Sequence, residues 1–105
     1  MRMTRPLERL LCTLLADPAG RWHGYELMKA AKLASGTLYP MLARLQEQGL
    51  VTSEWEPAPA VAGRPPRKYY RLTGEGARVA RRLLARVPRQ ARARPAPGPG
   101  LAGSS

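Results

Sequence analysis

The stretch Ser35-Gly-Thr-Leu-Tyr-Pro-Met-Leu-Ala-Arg-Leu-Gln-Glu-Gln48 decides the fold. Leu38, Met41, Leu42 and Leu45 recur at i, i+3, i+4 and i+7, so they share one face of a helix. The opposite side carries Gly36, Thr37, Pro40, Ala43 and Arg44, with Tyr39 and Gln46 on one flank. This outer face is small, flat and hydroxyl-bearing near its N-terminus, with one arginine and no acid before Glu47. A helix that enters a DNA major groove needs such a face: little bulk, hydrogen-bonding side chains and no carboxylates in its first turns. Taken alone, the same pattern also fits a solvated helix of poor propensity. The flanking sequence decides.

Upstream, Leu33-Ala34 leaves almost no room between this helix and the one before it. Two helices joined so tightly must cross steeply, as in a helix-turn-helix. Ser35 is the expected N-cap of the second helix and Gly49 its left-handed stop. Pro40 falls inside, where it removes the hydrogen bond to residue i−4 and crowds it. That residue is Gly36, the least obstructive choice. The preceding helix is expected over about Gly24–Lys32, with Tyr25, Leu27, Met28 and Ala31 inward and Glu26 at its positive end. A first helix is expected over about Arg5–Ala16, capped by Thr4 and stopped by Asp17-Pro18. Leu7, Leu10, Leu11, Leu14 and Leu15 form its apolar stripe.

Beyond Gly49 the period changes from helical to alternating. Leu50–Glu56 reads as a strand with Val51 and Trp55 on one side and Thr52, Glu54 and Glu56 on the other. Pro57–Pro66 is a Pro/Ala/Gly loop, and Arg67–Leu72 a second strand that pairs back on the first. Thr73 caps a fourth helix, in which Ala77, Ala80, Leu83, Leu84 and Val87 oppose Arg78, Arg81, Arg82 and Arg86 until Pro88. The fold class is therefore α+β and mostly helical: a winged helix-turn-helix with a two-stranded β-wing and a short C-terminal helix. One domain is expected over residues 1–87, followed by a disordered Pro/Ala/Gly/Arg-rich tail over 88–105.

Charge points to the partner. The 105-residue chain carries a formal net charge of +11. Residues 1–56 hold 7 basic and 6 acidic residues, whereas residues 57–105 hold 11 and 1. GC-rich codon usage enriches arginine but does not segregate charge, so the basic half is an electrostatic footprint for phosphate. No apolar run approaches the roughly 18 residues of a membrane span, and no signal-peptide core precedes a small-residue cleavage site. A soluble cytoplasmic protein without a membrane partner is expected. Cys12 stands alone among leucines, which suits a buried small hydrophobe. His23 is the only histidine and has no companion set for a metal, so its expected role is packing. With no acid/base pair, nucleophile constellation, phosphate loop or metal cluster, neither an enzyme nor a cofactor is expected. Trp22 and Trp55 read as packing residues and Tyr70 and Leu72 as core, with Tyr69 open between core and contact.

Four motifs then carry a family resemblance. Trp-His-Gly-Tyr-Glu-Leu (22–27), Ser-Gly-Thr-Leu-Tyr-Pro (35–40), Leu-Gln-Glu-Gln-Gly-Leu-Val (45–51) and Gly-Arg-Pro-Pro-Arg-Lys-Tyr-Tyr-Arg-Leu-Thr (63–73) together resemble the PadR-like transcriptional regulators over about residues 7–87. The resemblance implies a winged-helix repressor that binds operator DNA as a dimer. It implies that the helix with Gly-Thr-Leu-Tyr-Pro enters the major groove, which maps onto Ser35, Thr37, Tyr39 and Arg44. It implies a wing that reaches flanking backbone or minor groove, which maps onto Arg64, Arg67 and Lys68. Tyr39 and Thr37 suit phosphate or base edges, and Arg44 suits guanine or phosphate. Fuller members continue into a longer C-terminal helical region that dimerises and in some helps to shape an effector pocket. This chain departs there, so a weak homodimer through the first and fourth helices is expected and no small-molecule effector is carried over. The expected function is sequence-specific regulation through double-stranded DNA, as a repressor on an inverted-repeat operator. Two other classes stay open: a winged helix used as a protein-interaction adaptor, and a non-specific nucleic-acid-binding protein led by its arginine tail.

Overall fold

Leu10 and Leu14 of the first helix, Leu27 of the second and Leu38, Leu42 and Leu45 of the third meet at the centre of one core, each at most 1% exposed. Each such leucine contributes about 1.5–3 kcal/mol of burial. The computed structural model describes residues 2–57 and 63–88. Its elements run α1 (Arg5–Ala16), β1 (Trp22–His23), α2 (Gly24–Ala31), α3 (Ser35–Glu47), β2 (Val51–Trp55), β3 (Lys68–Leu72) and α4 (Gly74–Ala85). This is the α+β winged helix that the pattern implies. The expected tail beyond Pro88 lies outside the described residues.

Local chemistry sets the boundaries. The Thr4 hydroxyl accepts the Leu7 N–H at 3.3 Å and starts α1. Lys32 closes α2 in the left-handed conformation (φ 56), and the Leu33 N–H donates to the Met28 carbonyl at 3.0 Å. That closure buries Leu33, at 6% exposure, in the turn. It also corrects the start of α3. Ala34, not Ser35, is the N-cap, and its carbonyl accepts from Thr37 and Leu38. Only one extended residue fits between the closing turn of α2 and the next helix, so turn geometry outweighs the capping preference of serine. At the far end Gly49 takes φ 74. Its N–H donates to the Gln46 carbonyl and that of Leu50 to the Leu45 carbonyl, the paired bonds of a Schellman cap.

The two-stranded wing of β2 and β3 gains a short third strand, β1, in an antiparallel sheet of order β1-β3-β2. Trp22 lies opposite Tyr70 and His23 opposite Tyr69. A two-residue strand is too short to show alternation in sequence, so only the partner strand reveals it. Val51 pairs with Leu72 and Ser53 with Tyr70 on the inner face, while Glu54 pairs with Tyr69 on the outer one. Two aromatic side chains depart from expectation. Tyr25 and Trp55, both read as packing residues, are each 61% exposed. Tyr25 sits two positions from Leu27, about 200° round the helix, so an eight-residue α2 that buries Leu27 and Ala31 must turn it outward.

Thr73 ties these elements together. Its N–H donates to the Leu50 carbonyl at 3.0 Å, its hydroxyl donates to the Gly49 carbonyl at 2.8 Å, and the same oxygen accepts the Gly76 N–H at 2.9 Å. Gly76 then rests on the Leu50 carbonyl so closely that a methyl group there would overlap it, whereas Gly74 faces open space. Gly76→Ala should therefore cost about 1–3 kcal/mol by forcing α4 off the sheet. Gly74→Ala should cost nothing measurable. Urea unfolding of the two variants checks this, and equal midpoints would show that the close approach is not a constraint.

Candidate nucleic-acid interface

The buried side of α3 fixes what its other side offers. With Leu38, Leu42 and Leu45 inside, Ser35, Gly36, Thr37, Tyr39, Pro40, Ala43 and Arg44 are all exposed. A Cβ at Gly36 would meet nothing. Pro40 has no N–H to give the Gly36 carbonyl, which leaves that backbone oxygen without its helical partner. The face is bare, hydroxylated and flat.

Tyr39 leans from α3 over the first turn of α2. Its hydroxyl lies so close to Gly24 that a methyl group there would overlap it. Tyr39 and Gly24 join His23, Trp55, Arg67, Lys68 and Tyr70 around an open cavity of about 310 Å³ between α3 and the hairpin. Lys68 Nζ stands 5.6 Å from the Trp55 ring centroid and 5.9 Å from that of Tyr70. The Tyr70 hydroxyl is pushed above its ordinary pKa by burial, with a smaller contribution from Tyr39, and so stays neutral. The angle between helix and sheet is held by Gln46 Nε2, which donates to Ser53 Oγ at 2.7 Å.

No carboxylate lines this cavity. Glu26 accepts the His23 backbone N–H at 3.1 Å. Glu54 pairs with Arg21 at 3.3 Å on the outer sheet face, where the Arg21 guanidinium also lies 4.7 Å from the Tyr69 ring. Tyr69 is thus a surface residue. Among the described residues Arg44, Arg67 and Lys68 have no ion-pair partner.

Arg64 behaves differently. Its Nη2 donates to both Glu56 oxygens at 2.9 and 3.1 Å, and its Nη1 to the Pro65 carbonyl at 3.3 Å. The two side chains are only 22% and 14% exposed. The hydrogen bond from Arg64 holds the Glu56 carboxyl below the usual carboxylate range, against a burial that raises it, with further help from the charge of Arg64 and from the backbone and charge of Arg67. The structure therefore keeps Ser35, Thr37 and Arg44 on the open face of α3. It gathers Tyr39, Arg67 and Lys68 at the cleft and draws Arg64 into a clasp at the loop end of the hairpin, beyond the Trp55–Lys68 pair. Sequence reasoning missed Trp55, His23 and Gly24 as cleft residues. The inner-side position of Trp55, four residues past buried Val51, was the available signal, because it carries the side chain beyond the edge of the core.

Among the described residues no group of three or more His, Cys, Asp or Glu side chains could hold a metal ion. No helix among them is long and apolar enough to cross a membrane. A tight helix-turn-helix with a bare second helix, followed by a hairpin bearing unpaired cations, defines a winged-helix DNA-binding protein. Residues 11–82, more than half of the chain, match the Transcriptional regulator PadR-like family, and the chain belongs to that family of DNA-binding, non-enzymatic transcription regulators. It is similar to a PadR family transcriptional regulator from Eggerthella lenta, at 41% identity and a TM-score of 0.59 over 75% of this chain and 73% of that one. A PadR-like transcription factor from Bacteroides fragilis is 38% identical, with a TM-score of 0.56 over 75% and 77% of the two chains. The PcaV transcriptional regulator of Streptomyces coelicolor is 32% identical, with a TM-score of 0.64 over 80% of this chain and 55% of that one. No curated protein matches the chain.

The Glu56 clasp has a pH signature. A carboxyl whose folded pKa is depressed stabilises above its unfolded value, and that stabilisation is lost as pH falls through the folded value. The clasp should thus be complete at neutral pH and open only below the range in which a free glutamate protonates. Carbon-detected NMR titration should show Glu56 titrating below that range, and Glu56→Gln should remove the step. An ordinary glutamate titration would mean that the clasp does not form in solution.

Proposed function

We propose that this protein represses transcription by occupying an inverted-repeat operator as a dimer, with α3 in the major groove and the hairpin in the flanking minor groove. The supporting observation is the bare face of α3 beside a cation-lined cleft that holds no acid. The outward exposure of Thr37 and Arg44 supports a role in reading base edges. Ser35, in the first turn, lies where backbone amides and the helix dipole favour a phosphate. Tyr39 serves backbone rather than base, because its hydroxyl leans toward Gly24. Arg67 and Lys68 neutralise phosphate, and Arg64 supports the hairpin through Glu56. Residues 1–87 form the DNA-binding unit, and the arginines of 88–105 add charge. Such a regulator acts on chromosomal DNA, hence in the cytoplasm.

The dimer cannot draw on the leucine stripe of α1. Leu7, Leu10, Leu11 and Leu14 are spent inside the protomer, which leaves Leu15 of α1 and Val79 and Leu83 of α4 among the partly buried apolar groups. Self-association is accordingly weak and is strengthened by an operator whose half-sites lie about 34–36 Å apart.

Titration of the protein's own upstream DNA and of a scrambled duplex, from low to physiological salt, tests this function. Affinity should fall steeply with salt for both, and the upstream fragment should bind more tightly. Arg67→Ala should lower the slope of log K against log salt by about one unit. Arg44→Ala should narrow the gap between the two duplexes by about 1–3 kcal/mol if Arg44 reads a base. Equal affinity for both duplexes at every salt concentration would leave only a non-specific basic binder. Sedimentation of strictly monomeric protein on a single half-site would remove the dimer.

A further inference from the structure

A DNA duplex separates its two grooves by a sugar–phosphate strand. A protein with a helix in the major groove and a hairpin in the adjacent minor groove must straddle that strand. The 310 Å³ cavity lies between α3 and the hairpin, where the strand would have to pass. We infer that this cavity cradles one backbone strand, with the Trp55 indole against a deoxyribose and Lys68 and Arg67 bracketing the adjoining phosphate. The inference rests on the DNA-binding reading above and adds to it a contact residue, Trp55, that neither helix 3 nor the wing cations require.

Three observations carry it. The first is the aromatic surface. Of the large hydrophobic side chains that stand exposed among the described residues, Tyr39 at 42% and Trp55 at 61% both line this cavity. An indole left in water at the end of a strand, beside a second exposed ring, is a surface awaiting a partner. The second is the position of Lys68. Its ammonium lies within cation–π range of both Trp55 and Tyr70, which holds it at the cleft wall instead of free in solvent. The third is the charge balance. No carboxylate lines the cavity, and Glu54 and Glu56 pair with Arg21 and Arg64, which leaves Lys68 and Arg67 as the cations that meet a phosphate there. Apolar walls joined to cations match the alternation of sugar and phosphate. A base extruded from the stack would add an unstacking and unpairing cost and is not needed.

The test uses the full-length protein, with the upstream and scrambled duplexes of equal length, and follows tryptophan emission together with affinity. Emission should change on binding either duplex, since the cradle meets backbone and not sequence, and the change should vanish in Trp55→Ala, where Trp22 alone reports. Trp55→Ala should weaken both complexes about 10-fold while leaving the salt slope unchanged, because no charge is removed. Trp55→Phe should recover most of the affinity. Lys68→Ala should instead lower the slope by about one unit. A fall in slope for Trp55→Ala equal to that of Lys68→Ala would make the indole a support for the ammonium and overturn the contact. Wild-type binding with unchanged emission, and full affinity in Trp55→Ala, would overturn the cradle while leaving the DNA-binding reading intact. Failure of the wild-type protein to bind any duplex would sink both. Far-UV circular dichroism confirms that each variant is folded, and the high exposure of Trp55 makes its removal a mild change to the core.

Discussion

Three hydrogen bonds at Thr73 hold the recognition helix, the sheet and the last helix in one geometry. They join the carbonyls that end the α3 cap, at Gly49 and Leu50, to the residue that closes β3 and starts α4. Each partner of Thr73 in these bonds is a backbone atom that a chain reversal would otherwise leave unpaired. One threonine satisfies them and so sets where the hairpin leaves α3. The Gln46–Ser53 bond, one turn back along α3, fixes the angle. The distance from Thr37 and Arg44 to Arg67 and Lys68 follows from that junction, and so does the width of the cleft between them.

The electrostatic character of the surface is an arrangement of acids as much as of arginines. Glu8, Glu26, Glu54, Glu56 and Glu75 each lie beside a cation or histidine close by in the fold. The exposed pairs, Arg21–Glu54 and Glu75–Arg78, add little stability, typically about 0–1 kcal/mol each. Their consequence is spatial. They remove negative charge from the field at the α3 face and the cleft, where Arg44, Arg67 and Lys68 stay unpaired. The Glu56–Arg64 pair goes further, because it converts one wing arginine from a charge offered to solvent into a brace for the hairpin.

Core economy bears on assembly in the same way. A chain of this size has a high ratio of surface to volume and needs most of its leucines for itself. The stripe of α1, apart from partly buried Leu15, is consumed in the shared core with α2, α3 and α4. On α1 and α4, Leu15, Val79 and Leu83 are left only partly buried.

The helices were legible in the sequence because each is specified locally. Leucine periodicity, Thr4 and Thr73 as caps and Gly49 as a left-handed stop all act within one or two turns, and α1, α3 and α4 follow them closely. The bare face of α3 was legible for the same reason, since burying Leu38, Leu42 and Leu45 dictates what faces out. Tertiary structure decided the features that depend on a distant partner. Trp22–His23 becomes a strand only because Tyr69 and Tyr70 lie beside it, and Ser35 loses its capping role to the closure of α2. Arg64 turns inward because Glu56, eight residues earlier, waits across the hairpin. Trp55 turns out to be a cleft residue because the core ends before reaching it. Periodicity reports which side of an element a residue occupies, but not how far the neighbouring elements extend over that side, and the composition of the cleft depends on that reach.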